Sequence, residues 1–193
     1  SPLKNSWIAP VTVDLIFIMD VIFRDLIQRC LCSLRNSSDW SLVIGNLSAF
    51  DTVLTSRGCP YNCKFCSFSL NPLGQKRKYT ERPLDSIIDE LNSISADVVM
   101  FSDDNFFTNP KRSKKLCDLI IENGIKKRFL VQTRIEIAND IELLEKAENA
   151  GFKLFLIGIE SPHDRILKQL AKGFTQQQVR DAFKTLNKYS FFV

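Results

Sequence analysis

The sequence predicts an α/β fold built on a parallel sheet, and three observations predict it. From Asp51 onward, short apolar runs alternate with amphipathic stretches, the pattern of repeated βα units. The run Val98–Phe101 is apolar without interruption, as a strand covered on both faces requires. Caps and stops punctuate the intervening stretches at helical spacing: Asn109-Pro110 and Asp140 open, Gly124 and Gly151 close.

Taken in order, strand one is expected at about Thr52–Thr55, and Leu70–Glu81 reads as a polar loop containing the turn Asn71-Pro72-Leu73-Gly74. The first helix of this region begins near Pro83 and presents Leu84, Ile87, Ile88 and Leu91 on one side. Val98–Phe101 is strand two. The next helix runs from Asn109-Pro110 to Gly124 and buries Leu116, Cys117, Ile120 and Ile121. Strand three is Phe129–Gln132. Asp140 caps a helix carrying Ile141, Leu143, Leu144 and Ala147 inward, and strand four follows at Leu154–Ile159. Ser161-Pro162 opens a helix that stops at Gly173. Thr175 caps a last one, with Val179, Phe183 and Leu186 inward. Phe191-Phe192-Val193 reads as a fifth strand beginning, so about four βα units and the start of a fifth are expected.

Composition narrows the class. A chain of 193 residues with 45% apolar and 25% charged residues suits a globular domain with a sizeable core. A net charge of +4 neither demands nor excludes nucleic acid. Six cysteines are too sparse for a secreted disulfide scaffold, and a reducing cytosol is the expected compartment. Residues 1–49 form a segment of unclear role. In it Leu15, Ile16, Met19, Phe23, Leu26, Ile27 and Cys30 share one side of an expected amphipathic helix, and Leu42–Ile44 reads as a short strand. The apolar stretch Ile8–Phe23 carries Asp14 and Asp20 and is no membrane span. Ser at the first position and a strand just starting at the last make a fragment the expectation.

The chemistry concentrates in Thr55-Ser-Arg-Gly-Cys-Pro-Tyr-Asn-Cys-Lys-Phe-Cys-Ser67, where Cys59, Cys63 and Cys66 form a C-x3-C-x2-C triplet. Thiolates this close repel one another unless a metal absorbs their charge, and soft sulfur ligands suit zinc, copper(I) or iron–sulfur clusters. A cubane cluster wants four cysteines, so three in one loop leave an iron able to hold a substrate. A structural zinc site usually closes with four ligands. A redox pair of Cys63 and Cys66 would leave Cys59 without a role.

The loop in its setting LTSRGCPYNCKFCS resembles the cluster loop of the radical S-adenosylmethionine (SAM) superfamily. The stretches FSDDNFFTNPKR, QTRIEIANDIELLEKAENAGFKLFLIGIESP and LAKGFTQQQV are similar to its cobalamin-associated and methylthiotransferase-like branches, over about Asp51 to Val193. The resemblance implies a partial (βα)6, TIM-like barrel truncated before strands five and six, occupying residues 50–193. It implies a [4Fe-4S] cluster on Cys59, Cys63 and Cys66, SAM chelated at the open iron, and reductive cleavage of SAM to a 5′-deoxyadenosyl radical. A reductant of the flavodoxin or ferredoxin type is then expected, with a small-molecule substrate. Cobalamin would be carried by a domain upstream.

Ligands of parallel α/β sheets gather beyond the carboxyl ends of the strands. There the sequence places the cysteines, Asp103-Asp104-Asn105, Thr133-Arg134 and Glu160-Ser161. The resemblance implies that Phe65 packs beside the adenine, Glu160 binds ribose, and Arg134 with Asp103 or Asp104 holds the methionine end of SAM. Bland readings stand beside these: Asp103 and Asp104 as turn caps, Arg134 paired with Glu136, Glu160 as a helix cap. The basic runs Lys76-Arg-Lys78, Lys111-Arg-Ser-Lys-Lys115 and Lys126-Lys-Arg128 are explained more cheaply as solvated surface than as a phosphate-binding face. The single histidine, His163, weighs against multi-histidine metal catalysis and leaves a Ser-His-Asp triad little room. Two other functions remain: a zinc-binding structural or interaction module, and an RNA-modifying methylthiotransferase-type enzyme, which would carry a basic RNA-binding extension.

Overall fold

A computed structural model of the chain describes residues 50–68, 70 and 73–193. The chain divides into two units, Ser1–Gly45 and Asn46–Val193. The expected N-terminal helix with Cys30, the strand at Leu42–Ile44, and the first half of the Asn71–Gly74 turn lie outside the described residues.

The second unit is a parallel sheet with helices, as expected. Strands β1 (Phe50–Val53), β4 (Val98–Phe101), β5 (Arg128–Thr133) and β6 (Phe152–Ile157) lie side by side in the order β1-β4-β5-β6, every pair parallel. The fifth strand begins where the sequence places it. Phe192 bridges Leu154 in parallel, donating its N–H to Lys153 O at 2.8 Å and accepting from Phe155 N at 2.8 Å. Between the strands run α1 (Leu84–Ser93), α2 (Pro110–Glu122), α3 (Ile141–Ala150), α4 (Asp164–Gln169) and α5 (Gln176–Leu186).

The core forms around one aromatic side chain from each of β4, β5 and β6, with Val53 of β1 beside them. Phe101 of β4 stacks on Phe129 of β5 at 5.1 Å between ring centroids, and Phe129 meets Phe152 of β6 at 5.2 Å. Phe106 and Phe107, in a short 3-10 turn at Phe106–Thr108, close over this stack. Such pairs contribute about 0.5–1.5 kcal/mol each beyond the area they bury. Leu116, Cys117 and Ile120 of α2 and Leu143, Leu144 and Ala147 of α3 are buried as their spacing requires. Ile121 and Ile141 are the exceptions: both are exposed, Ile121 because it falls one position round the helix from Ile120, and Ile141 at the first position of α3.

Helix starts match their local chemistry. The Asn109 side chain accepts from Arg112 N, the Asp140 side chain from Leu143 N, and Thr175 makes a capping box with Gln178. Boundaries that depend on distant partners differ. Strand β1 ends at Val53 rather than Thr55, because the Thr55 N–H leaves the ladder for the Asp103 carboxylate. Strand β6 runs Phe152–Ile157, two residues earlier than expected at both ends, since Gly151 turns the chain with φ 97° directly into it. The helix after Ser161-Pro162 stops at Gln169, well before Gly173, with Ala171 at φ 55° and Lys172 N bonded to Leu167 O. The stretch read as a loop contains β3 (Thr80–Glu81), which pairs antiparallel with β2 (Ser56–Arg57) in a two-stranded ribbon beside the cysteines.

Gly151 is required twice over: its φ is left-handed, and an added Cβ would collide with the Lys127 carbonyl oxygen. Gly151→Ala is therefore expected to destabilise the protein by more than about 1 kcal/mol in urea unfolding. An unchanged unfolding midpoint would contradict this account of the turn.

Candidate metal and cofactor site

The site is assembled at the carboxyl ends of the strands, and its foundation is a buried acid. Asp103, just past β4, is 1% exposed. Its Oδ2 accepts from Thr55 N at 3.1 Å and its Oδ1 from Thr55 Oγ1 at 2.8 Å, with Ser56 Oγ bonded to the same oxygen. Asp104 Oδ2 accepts from Gly58 N at 2.8 Å. Neighbouring carboxylates thus hold two backbone amides, those of Thr55 and Gly58, in the chain entering the cysteine loop. Burial pushes the Asp103 carboxyl above the usual range, opposed by the Ser56 and Thr55 donors, and burial raises Asp104 as well. These contacts cap the loop after β1, across the sheet, rather than the turn following β4.

Gly58 has φ 87°, and a Cβ there would sit 3.1 Å from Lys78 O, so the ribbon approaches closely just before Cys59. Arg112 of α2 braces the same corner. It donates to Thr55 O at 3.1 Å and Arg82 O at 2.8 Å, with Glu81 3.6 Å away. The basic run that contains it is thus partly engaged inside the protein: Lys114 also pairs with Asp140 at 2.9 Å and Glu142 at 2.7 Å. Arg112 carries a sequence signal, since it lies four residues before Leu116 and eight before Ile120, on the buried face of α2.

Cys59, Cys63 and Cys66 are half-buried free thiols. Burial raises the Cys59 thiol first, and the charges of Cys66 and Cys63 raise it further, against the Tyr61 backbone amide and Arg134, which lower it. A bound metal would favour the thiolate that burial opposes. Among the described residues no three His, Cys, Asp or Glu side chains are gathered as ligands of a single ion. A cubane cluster takes one cysteine sulfur on each iron it ligates. The donor set, three soft half-exposed thiols on one loop, suits such a cluster. Cys117, the other described cysteine, is buried in α2 with its thiol pushed up to about 12 by burial, and stays in the core.

The far side of the loop is tied to the segment after α4. Lys64 N donates to Leu170 O at 3.0 Å. Arg134, 8% exposed, donates through Nη1 to Cys63 Sγ at 3.4 Å. Its Nε meets Glu136 Oε1 at 3.0 Å and Oε2 at 3.2 Å, its Nη2 meets Glu136 Oε1 at 2.7 Å, and Nη2 also bonds Lys172 O. Its guanidinium lies 3.8 Å from the Tyr61 ring centroid. The pairing with Glu136 is thus present, and it coexists with a position at the cysteine loop.

Lys172, which sequence reasoning passed over, is 4% exposed. Its ammonium sits 5.5 Å from the Phe65 ring, 5.4 Å from the Phe174 ring and 3.5 Å from Glu160 Oε1. Phe65 itself is half exposed. Glu160 is held at φ 71°, and a side chain on Gly158 would come within 2.7 Å of its Oε1. Phe65, Lys172 and Glu160 therefore form one continuous patch beside the cysteines. Nothing in the local sequence marks Lys172 beyond its place before Gly173-Phe174.

This arrangement of a cysteine loop at the mouth of a parallel sheet defines a class. The model of the radical SAM superfamily matches residues 53–193, and the chain belongs to that superfamily. It is 33% identical over 144 residues to an uncharacterized methyltransferase of Pyrococcus horikoshii, covering 72% of this chain and 30% of the relative. It is 27% identical over 147 residues to the hopanoid C-2 methylase of Rhodopseudomonas palustris, covering 72% of this chain and 27% of that enzyme. The chain thus spans less than a third of these relatives' length. Its fold matches the radical SAM methyltransferase TsrM from Kitasatospora setae, solved with cobalamin and a [4Fe-4S] cluster, at TM-score 0.64 and 18% identity over 75% of this chain and 30% of that one. It also matches the cobalamin-dependent radical enzyme OxsB at TM-score 0.62 and 22% identity, over 72% of this chain and 22% of that one.

Asp103→Ala leaves the Thr55 N–H and two hydroxyls without their buried acceptor. The expected cost is on the order of 2–4 kcal/mol of unfolding free energy. Faster proteolysis within residues 56–68 of the folded protein should accompany it. Wild-type stability and protection would show that Asp103 does not hold the loop.

Proposed function

We propose that the chain is the core of a radical SAM enzyme that cleaves SAM reductively at a [4Fe-4S] cluster, with Cys59, Cys63 and Cys66 as the protein ligands. The observation that carries this reading is the loop itself: three half-buried free thiols on a segment pinned at Thr55, Ser56, Gly58, Cys63 and Lys64. When bound, such a cluster supplies one low-potential electron to the sulfonium, releasing a 5′-deoxyadenosyl radical for use on an unactivated carbon.

The chain's own residues would hold and orient SAM. Phe65, half exposed beside the sulfurs, offers a face to the adenine. Glu160, turned out by its left-handed backbone, suits the ribose hydroxyls. Asp104, partly exposed and with one oxygen on Gly58, suits the amino group better than the fully engaged Asp103. Arg134 was the expected partner of the methionine carboxylate. With Nε and Nη2 tied to Glu136 and to Lys172 O, its paired fork is occupied, and we assign that carboxylate to the Lys172 ammonium instead.

Methyl transfer is the favoured reaction class, because the relatives in Pyrococcus horikoshii and Rhodopseudomonas palustris are named a methyltransferase and a methylase. A small-molecule substrate, an external flavodoxin- or ferredoxin-type reductant, a cobalamin partner domain and a cytoplasmic location belong to this proposal. No helix among the described residues is long and apolar enough to cross a membrane. Anaerobic reconstitution with iron and sulfide should give a brown protein with about four irons per chain. Cys63→Ala should lose most of that iron and colour. A colourless protein holding one tight zinc would overturn the reading in favour of a structural module.

A further inference from the structure

We infer that Arg134 is a positioning residue for the Cys63 corner of the cluster and raises the cluster's reduction potential through its N–H···S contact and its buried charge. The inference rests on the cluster reading above. Its starting observation is a contact of 3.4 Å between Arg134 Nη1 and Cys63 Sγ, made by a side chain that is 8% exposed.

The guanidinium has little freedom to do anything else. Glu136 takes the Nε–Nη2 edge, the Lys172 carbonyl takes a second Nη2 hydrogen, and the Tyr61 ring covers one face at 3.8 Å. What remains is the Nη1 end, turned to the sulfur. Phe174 lies 5.3 Å away and helps to exclude water. A cation fixed in such a place is poorly screened.

The physical consequence has a definite sign. Reduction adds one electron to the cluster, supplied from outside by a one-electron donor, and so makes it more negative by one charge. A fixed positive charge and an N–H donor at a coordinating sulfur stabilise the more negative state, which shifts the potential upward. Glu136 acts in the opposite sense, because its carboxylate partly cancels the guanidinium. Its side chain is 36% exposed against 9% for Arg134, so water weakens that cancellation.

The test is a redox titration of the reconstituted full chain, with dithionite as electron donor and the EPR signal of the reduced cluster as readout, alongside iron and sulfide analysis. Arg134→Gln should lower the potential by an amount equal to a tenfold loss in the reduction equilibrium, about 59 mV for one electron. Glu136→Gln should move it upward, since Lys172 O and Tyr61 still hold the guanidinium in place. A purely structural role predicts iron loss, not shifts of opposite sign. A wild-type potential in iron-replete Arg134→Gln, or shifts of the same sign in both variants, would overturn the inference. Should Arg134→Gln take up no iron, Glu136→Gln decides: a raised potential supports the role, and an unchanged or lowered one rejects it. If wild-type protein itself binds no cluster, the functional reading falls and takes this role with it. If wild-type protein loads and neither variant shifts, only the role of Arg134 falls.

Discussion

A buried carboxylate without a cationic partner is expensive, and the architecture of this site depends on one. Asp103 stands at the end of β4 and gathers the backbone and hydroxyl of Thr55 and the hydroxyl of Ser56 at the end of β1. Removing a carboxyl group from water is tolerable only when hydrogen-bond partners replace the lost hydration. The two neighbouring strand ends are therefore obliged to stay together, and the chain must leave the sheet at Thr55. That exit sends Gly58 and Cys59 over the mouth of the sheet. Asp104 and Arg112 then fix the direction of departure from either side.

The opposite anchorage is cationic. Arg134 and Lys172 are both buried, and both lie beside aromatic rings at the edge of the cysteine loop. The loop thus runs between an acidic post on its entering side and a basic one on its far side. Such polarity suits a loop meant to carry thiolates, whose negative charge the basic side favours and the acidic side would otherwise repel. It also suits a zwitterionic ligand, with one end for Asp104 and the other for Lys172.

What the sequence disclosed and what it hid divide along local and non-local lines. The cysteine triplet, the strand Val98–Phe101 and the caps at Asn109, Asp140 and Thr175 were readable because each depends on neighbours a few residues away. The end of β1 was misjudged by two residues, because the partner that draws Thr55 out of the ladder lies 48 positions later. The ribbon of β2 and β3 was missed for the same reason: two-residue strands carry no periodicity to detect. Arg112 looked like part of a solvated basic run, and only the face it shares with Leu116 hinted at burial. Lys172 gave no hint, since its burial is decided by where Phe65 and Phe174 come to rest. For Asp103 the sequence located the residue at the site but not its contacts, which reach back to the loop rather than forward to its own turn.

In the proposed enzyme, three protein sulfurs leave one iron free for SAM. EPR of the reduced, reconstituted cluster before and after addition of SAM tests this most directly. The account predicts that SAM changes the g-values of the signal, because the amino and carboxylate groups enter the coordination sphere of that iron. A spectrum that is identical with and without excess SAM, from a cluster of full iron content, would contradict it.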